Sequence, residues 1–492
     1  MARTRAASEY VCQACGAAFP KWEGQCRGCG AWNSLVETLV RPPQRRPASG
    51  EGRHPSTAAR GAEPRLLGSL DAVATTRRPT GLAEVDRLLG GGLVPGSLLL
   101  LGGEPGIGKS TLVLQVAGTL AAGVPSPGRE GDAGVAAGGR APRQVLYASA
   151  EESPAQLHLR ASRLGLTTGP ASTALSVLAS TDVDAIITAA TALRPWLLVV
   201  DSIQTVSVDD LDGPPGSVGQ VRESAARLGA FAREHSVPVL LVGHVTKDGS
   251  LAGPRTLEHL VDAVLMLDGD RYASLRLLRA LKNRHGSTEE VGVMEMTPDG
   301  LREVRDTAAA FLGHGSRSAP GVAVAAVLEG SRTLLVEVQA LVAPAGFGPP
   351  RRTVAGLDVN RLVLLIAVLA RRGGVDVSSR DVYASLTGGI TVSEPALDLP
   401  LALAVAASQR DRAIAGDLLA CGEVSLLGEI RPVPGLERRL REAARLGFRR
   451  ALVPEDAGLS ARQAAALGLE VRRVATLRQS LELALEATGT SG

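Results

Sequence analysis

Aromatic residues are scarce: phenylalanine, tyrosine and tryptophan together make up 2% of the 492 residues. The hydrophobic cores must therefore rest on Leu, Val and Ala. Apolar runs long enough to span a bilayer are missing, and the first residues lack the apolar core of a secretion signal, so a membrane or exported protein is not expected. Lysine is scarcer still: of 53 basic residues only Lys21, Lys109, Lys247 and Lys282 are lysines. Cysteine occurs five times, four of them within the first 29 residues, which suits a reducing compartment better than a disulfide scaffold. A cytoplasmic location follows as the expectation. Net charge is also small, at +3, too little to argue by itself for nucleic acid.

What is present divides the chain. Its length calls for two or three domains, and 45% hydrophobic with 21% charged residues is ordinary for a soluble protein. Residues 1–40 form a small cysteine-bearing unit. Residues 41–64 are rich in Pro, Arg, Gly and Ser and read as a flexible basic linker; Arg41 to Arg65 hold six Arg against two Glu. From 65 to 305, short apolar runs alternate with amphipathic stretches, the pattern of an α/β domain with a mainly parallel sheet. Strands are expected at "SLLLLGG" (97–103), "QVLYAS" (144–149), "WLLVVD" (196–201), "PVLLVGH" (238–244) and "AVLMLDG" (263–269). A Gly- and Ala-rich surface insertion interrupts them from Gly123 to Pro142. A second α/β pattern fills 310–492, with "TLLVEVQALVA" strand-like and "LDLPLALAVAAS" helical.

Cys12-x2-Cys15 and Cys26-x2-Cys29 are ten residues apart. Two such knuckles can close a tetrahedral thiolate site for a structural Zn²⁺, with Gly16, Gly28 and Gly30 supplying the tight turns. A unit this short depends on the metal to fold. Trp22 and Trp32 beside the knuckles are expected to form its small core, with base stacking as the lesser alternative.

"GEPGIGKST" spans Gly103, Glu104, Pro105, Gly106, Ile107, Gly108, Lys109, Ser110 and Thr111. It follows an apolar strand and opens a helical stretch, the context a phosphate-binding loop requires. Its backbone N–H groups and the helix N-terminus would wrap the phosphates of ATP, Lys109 would bridge the β- and γ-phosphates, and Ser110 would ligate Mg²⁺. Asp201, closing "WLLVVD", fits the acidic residue that orders the Mg²⁺. The pattern resembles the RecA-like branch of P-loop proteins. That resemblance implies a water-activating Glu at "LYASAEES", Glu151 or alternatively Glu152, and a γ-phosphate sensor at His244.

The order of zinc knuckles, P-loop, "AEES", "VVDSIQT", "GHVTKDG" and "KNRHG" resembles the bacterial RadA family, also called Sms, of DNA repair ATPases. The resemblance covers nearly the whole chain. It implies a RecA-like ATPase forming hexameric rings, which binds single-stranded and branched DNA, drives branch migration in a helicase-like manner and works beside recombination proteins such as RecA. Lys282 and Arg284 would then belong to the family's KNRFG motif, with Asn283 positioning them; a basic residue from a neighbouring subunit can complete an ATP site. Lysine and arginine are not interchangeable at such a site. His285 departs from the usual Phe. Arg222, Lys247 and Arg255, in Gly-rich stretches read as mobile loops, are the candidate DNA phosphate contacts.

Residues from about 310 resemble the proteolytic domain of the Lon family, in "EPALDLPLALAVA" and "GEVSLLGEIRPVPGLERRLREAARLGF". Lon-type proteases use a Ser nucleophile and a Lys base. Matching the motifs puts Ala396 and Arg439 at those positions, and no lysine follows Lys282. A methyl group cannot attack and a guanidinium cannot act as base near neutral pH, so a Lon-like protease is disfavoured. A RecA-like regulatory ATPase or kinase is the other alternative.

Overall fold

The computed structural model describes residues 7–12, 17–32, 34–40, 76–123, 143–244, 256–269, 273–304, 310–312, 319–346 and 348–485. The linker read at 41–64 and most of the insertion after Gly123 lie outside them. Two compact units divide the chain: Met1–Leu82, Leu89–Gly102 and Val113–Val264 form one, and Ala83–Leu88, Gly103–Leu112 and Leu265–Gly492 form the other.

In the first unit, β1 (Ala7–Cys12), β2 (Ala18–Phe19) and β3 (Leu35–Val40) make an antiparallel sheet in the order β2-β1-β3. The apolar runs of the next segment become β4 (Leu98–Gly103), β5 (Val145–Ser149), β6 (Leu175–Ala179), β7 (Leu197–Asp201) and β8 (Val239–Val242). They pair in parallel in the order β4-β8-β7-β5-β6. β4, β5, β7 and β8 are buried along their whole length, which explains continuous apolar runs where a half-exposed strand would alternate. Each fully buried Leu or Val contributes about 1.5–3 kcal/mol over its exposed state. β9 (Ala263–Asp268) runs across the division between the units.

The second unit holds a short helix, α1 (Ala83–Leu88), the phosphate loop and the first residues of α2 (Lys109–Ala122). An antiparallel meander follows: β10 (Leu275–Asn283), β11 (Val291–Thr297) and β12 (Gly300–Glu303). Beyond it come β13 (Val322–Glu329), β14 (Arg332–Pro344), β15 (Arg352–Ala355), β16 (Arg380–Leu386), β17 (Leu418–Ala420), β18 (Glu423–Val424), β19 (Ile430–Arg431), β20 (Arg450–Pro454) and β21 (Glu470–Val474). Seven of these form one mixed sheet in the order β15-β16-β14-β13-β17-β20-β21. The helix Asp398–Arg410, read from "LDLPLALAVAAS", is buried from Asp398 to Ala407 against β13 and β14.

Candidate active site

β4 runs directly into the phosphate loop, and the backbone there needs glycine. Gly103, Gly106 and Gly108 take φ of 154°, 80° and 115°. A Cβ on Gly103 would stand 2.6 Å from the carbonyl oxygen of Leu267, and one on Gly108 2.4 Å from the Cε of Met296. Around Gly106 there is open space, so the crown of the loop is free to meet a ligand. Lys109 is 4% exposed, and its ammonium donates to the carbonyls of Gly103 (2.9 Å) and Glu104 (3.0 Å). A second buried cation, missed in the sequence, braces the loop: Arg276 of β10 donates from Nε to the Ile107 carbonyl (3.1 Å). Its Nη1 binds the carbonyls of Ala273 (2.6 Å) and Leu275 (2.8 Å). The available signal was two arginines, Arg276 and Arg279, inside an otherwise apolar run. Ser110 and Thr111 lie half-buried in the first turn of α2.

Parallel register brings a second set of groups together at the strand tips. Ser149 pairs with Asp201, and Asp201 with Val242, so the residues just beyond them meet. Glu151 Oε1 accepts from Ser202 Oγ (2.5 Å) and lies 3.1 Å from His244 Nε2. Asp201 is buried; its Oδ2 accepts from the Tyr147 hydroxyl (2.6 Å), while its Oδ1 has no protein partner among the described residues. Burial, and then the Asp201 carboxylate, push the Tyr147 phenol well above its usual range, so it stays a donor. A buried carboxylate oxygen left open costs free energy unless a cation or a metal-bound water meets it. Asp201 thus fits a Mg²⁺ site.

Glu152 faces elsewhere. Its carboxylate pairs with Arg160 of α3 (Pro154–Arg163), and its backbone N–H donates to Ser149 Oγ (3.1 Å). Burial raises its pKa, opposed by Arg160 and reinforced by Asp201 and Glu151. Ser153 and Gln156 close a capping box at the start of α3, which fixes the turn that sends the two glutamates apart.

The stretch "KNRHG" begins in β10 and turns out of it. Asn283 Nδ2 donates to the Leu88 carbonyl (3.0 Å), and its Oδ1 accepts from the backbone N–H of His285 (3.0 Å). One side chain therefore pins the turn, with half-buried Lys282 before it and exposed Arg284 after it. His285 is exposed.

Cys12, Cys26 and Cys29 bring their sulfurs within 4.8 Å of one another, with Cys12 and Cys29 3.7 Å apart. A tetrahedral site with Zn–S bonds of ~2.3 Å demands S···S edges of ~3.8 Å, so these thiols fit zinc. The Gly28 N–H donates to Cys26 Sγ (3.3 Å), and Gly30, at φ 76°, returns its N–H to the Cys26 carbonyl (2.8 Å). Cys15 lies outside the described residues. The tryptophan expectation is corrected: Trp22 and Trp32 are 55% and 71% exposed, and the core is Cys12, Cys26 and Leu35 backed by Tyr10, Ala17 and Phe19. Beside the thiols, Leu35, Tyr10 and Phe19 already fill so small a core, which leaves the two indoles outside it.

The loop reading around Arg222 is also corrected. Arg222 is exposed but sits in the helix Val218–His235. The segment before that helix is tied down by buried Gln220, which accepts from the Val208 N–H (2.8 Å) and donates to the Leu211 carbonyl (2.6 Å). Lys247 and Arg255 lie outside the described residues.

Comparison with known proteins meets this geometry. The profile of a rubredoxin metal binding domain matches residues 10–37, that of an AAA domain 63–250, and that of the ChlI subunit of Mg-chelatase 366–457. DNA repair protein RadA of Pseudomonas aeruginosa is 46% identical over 97% of this chain and 98% of its own. The RadA proteins of Bacillus subtilis (43%, covering 99% and 100%) and Escherichia coli (44%, covering 90% and 92%) are similarly close. The chain belongs to the RadA family.

It is thus a RadA-family DNA repair protein with an N-terminal zinc ribbon, a RecA-like P-loop ATPase core and a Lon-like C-terminal domain. In this member of the family no described helix is long and apolar enough to cross a membrane. Its Lon-like domain holds a salt bridge where the matched motifs place the protease residues. Ala396 is buried, and Arg439, fully buried, pairs with Glu394. Arg439 also donates to the carbonyls of Ala326 (2.5 Å) and Pro434 (3.0 Å), and Glu394 accepts from the Leu328 N–H (2.9 Å). Burial pushes the nearby Cys421 thiol up to about 12, so it supplies no substitute nucleophile at neutral pH.

Proposed function

We propose that this chain is a DNA-dependent ATPase of recombinational repair that binds single-stranded DNA and drives branch migration in a helicase-like manner. The cluster of Glu151, Ser202 and His244, beside a buried Asp201 carboxylate with one oxygen open, carries the reading. Glu151 is the base that activates the attacking water, and its hydrogen bond to His244 gives a route by which γ-phosphate at the histidine reorients the base. Asp201 and Ser110 would hold Mg²⁺, which would supply positive charge to balance that developing on the phosphates. Lys109 leaves its two carbonyls for the β- and γ-phosphates. Lys282 and Arg284 act on the nucleotide of a neighbouring subunit in a hexameric ring, held in place by Asn283. The reading takes residues 1–40 as the zinc unit, 41–64 as linker, 65–305 as motor and 310–492 as a non-proteolytic scaffold. DNA backbone contacts fall to Arg222, Lys247 and Arg255, RecA is a partner, and the cytoplasm is the site of action.

ATP hydrolysis with and without single-stranded DNA tests this on the wild type, Lys109→Ala and Lys282→Ala. DNA should stimulate the wild type, and both variants should lose that stimulation. Mixed rings of the two variants should regain part of it, because each supplies what the other lacks. A ring that hydrolyses ATP equally with and without DNA would support the regulatory ATPase alternative. Full DNA-stimulated turnover by Lys282→Ala would remove the role given to the turn.

A further inference from the structure

The "KNRHG" turn stands at the tip of the β10–β11 hairpin, and charged groups tie that hairpin to the turn between β13 and β14. Glu84 of α1 is the hub, with its side chain 11% exposed. Its carboxylate accepts from Arg87 Nη2 (2.6 Å), from Arg332 Nη2 (3.0 Å) and Nη1 (3.1 Å), and from the Val293 N–H of β11 (3.2 Å). Arg87 reaches on to Glu290 (2.5 Å) and to the Val291 carbonyl, closing the loop that starts at Lys282. Around Arg332, the Ser331 N–H donates to the Glu289 carbonyl, and a Cβ on Gly330 (φ +57) would lie 1.8 Å from that same oxygen. Further down β10, Arg279 pairs with Glu329 (2.9 Å) and Asp268 (2.7 Å).

Residues 329–332 therefore hold the hairpin directly at Arg279 and Glu289, and a third time through Glu84, whose buried carboxylate Arg332 shares with the arginine that closes the loop. Exposed ion pairs contribute little, but a bidentate pair on a buried carboxylate with two arginines fixes geometry. We infer that Glu84 and Arg332 are positioning residues for the Lys282–Arg284 turn, through which the Lon-like domain sets the aim of that turn. The inference rests on the proposed role of the turn in the neighbouring ATP site. It gives the domain a task that needs no peptidase chemistry.

The test uses the full-length chain with Arg332→Gln, Glu84→Gln and, as control, Arg302→Gln, an exposed arginine of β12 that pairs with Glu295 of β11. Hydrogen exchange of residues 281–290 should quicken by about tenfold in the first two and stay unchanged in the control. DNA-stimulated kcat should fall toward that of Lys282→Ala while the KM for ATP holds. Arg332→Lys should recover part of it, and Arg332→Gln with Lys282→Ala together should be no worse than Lys282→Ala alone. Unchanged exchange, or losses that add in the double variant, would overturn the inference. Quickened exchange together with a fully active Lys282→Ala would leave the coupling standing and remove only the catalytic reading of the turn.

Discussion

At the scale of residues, two adjacent glutamates have been separated by what each one faces. Glu151 shares one oxygen with Ser202 and His244, whereas Glu152 is spent on Arg160. Glu151→Gln should therefore lower ATP hydrolysis by about 10²–10⁴-fold, the usual contribution of a general base, with nucleotide binding retained. Glu152→Gln should change it by no more than a few-fold, because the charge it removes serves a helix rather than a water. Steady-state hydrolysis and fluorescent-nucleotide titration read the two arms. The sequence left this choice open, since "AEES" says that a strand tip carries two carboxylates but not which way the chain turns. The capping box Ser153–Gln156 decides it, and such a cap can be recognised in sequence only once the helix start is known.

At the scale of elements, β10 is the strand that composition hid. Continuous apolar runs revealed β4, β5, β7, β8 and β9, but "LRLLRALKN" carries two arginines and was not among the expected strands. Both charges are paired: Arg276 with backbone carbonyls beneath the phosphate loop, Arg279 with Glu329 and Asp268. The strand thereby links the loop that grips phosphate to the turn that carries Lys282. Arg276→Met leaves the Ile107 carbonyl without its donor, a loss of about 1–3 kcal/mol at a buried group. ATP affinity should drop by roughly tenfold in a titration, with little further loss on a Lys109→Ala background. Equal affinity in Arg276→Met and the wild type would rule out the brace. Similarly, the helix carrying Arg222 was misread as loop because Gly213, Pro214, Pro215 and Gly216 immediately precede it.

At the scale of the whole molecule, the Lon-like domain carries Ala396 and Arg439 where the matched motifs place a Ser nucleophile and a Lys base. The matched motifs already exclude a Ser–Lys dyad, but not what Arg439 does instead, because burial and partners are properties of the fold. Arg439→Met should destabilise the domain by about 3–5 kcal/mol, since it strands Glu394 beside an apolar core. Thermal unfolding measures this, and a double replacement with Glu394→Leu should recover much of the loss. Lysine scarcity also has a practical outcome for the intact molecule. Amine-acylating reagents pass over arginine, so they meet only four side-chain targets here. Lys21 is exposed and Lys282 half-buried, while Lys109 is buried with its ammonium on the carbonyls of Gly103 and Glu104. Acylation of Lys109 in the native protein therefore records each opening of the phosphate loop, giving a covalent footprint of the empty site that bound nucleotide would erase.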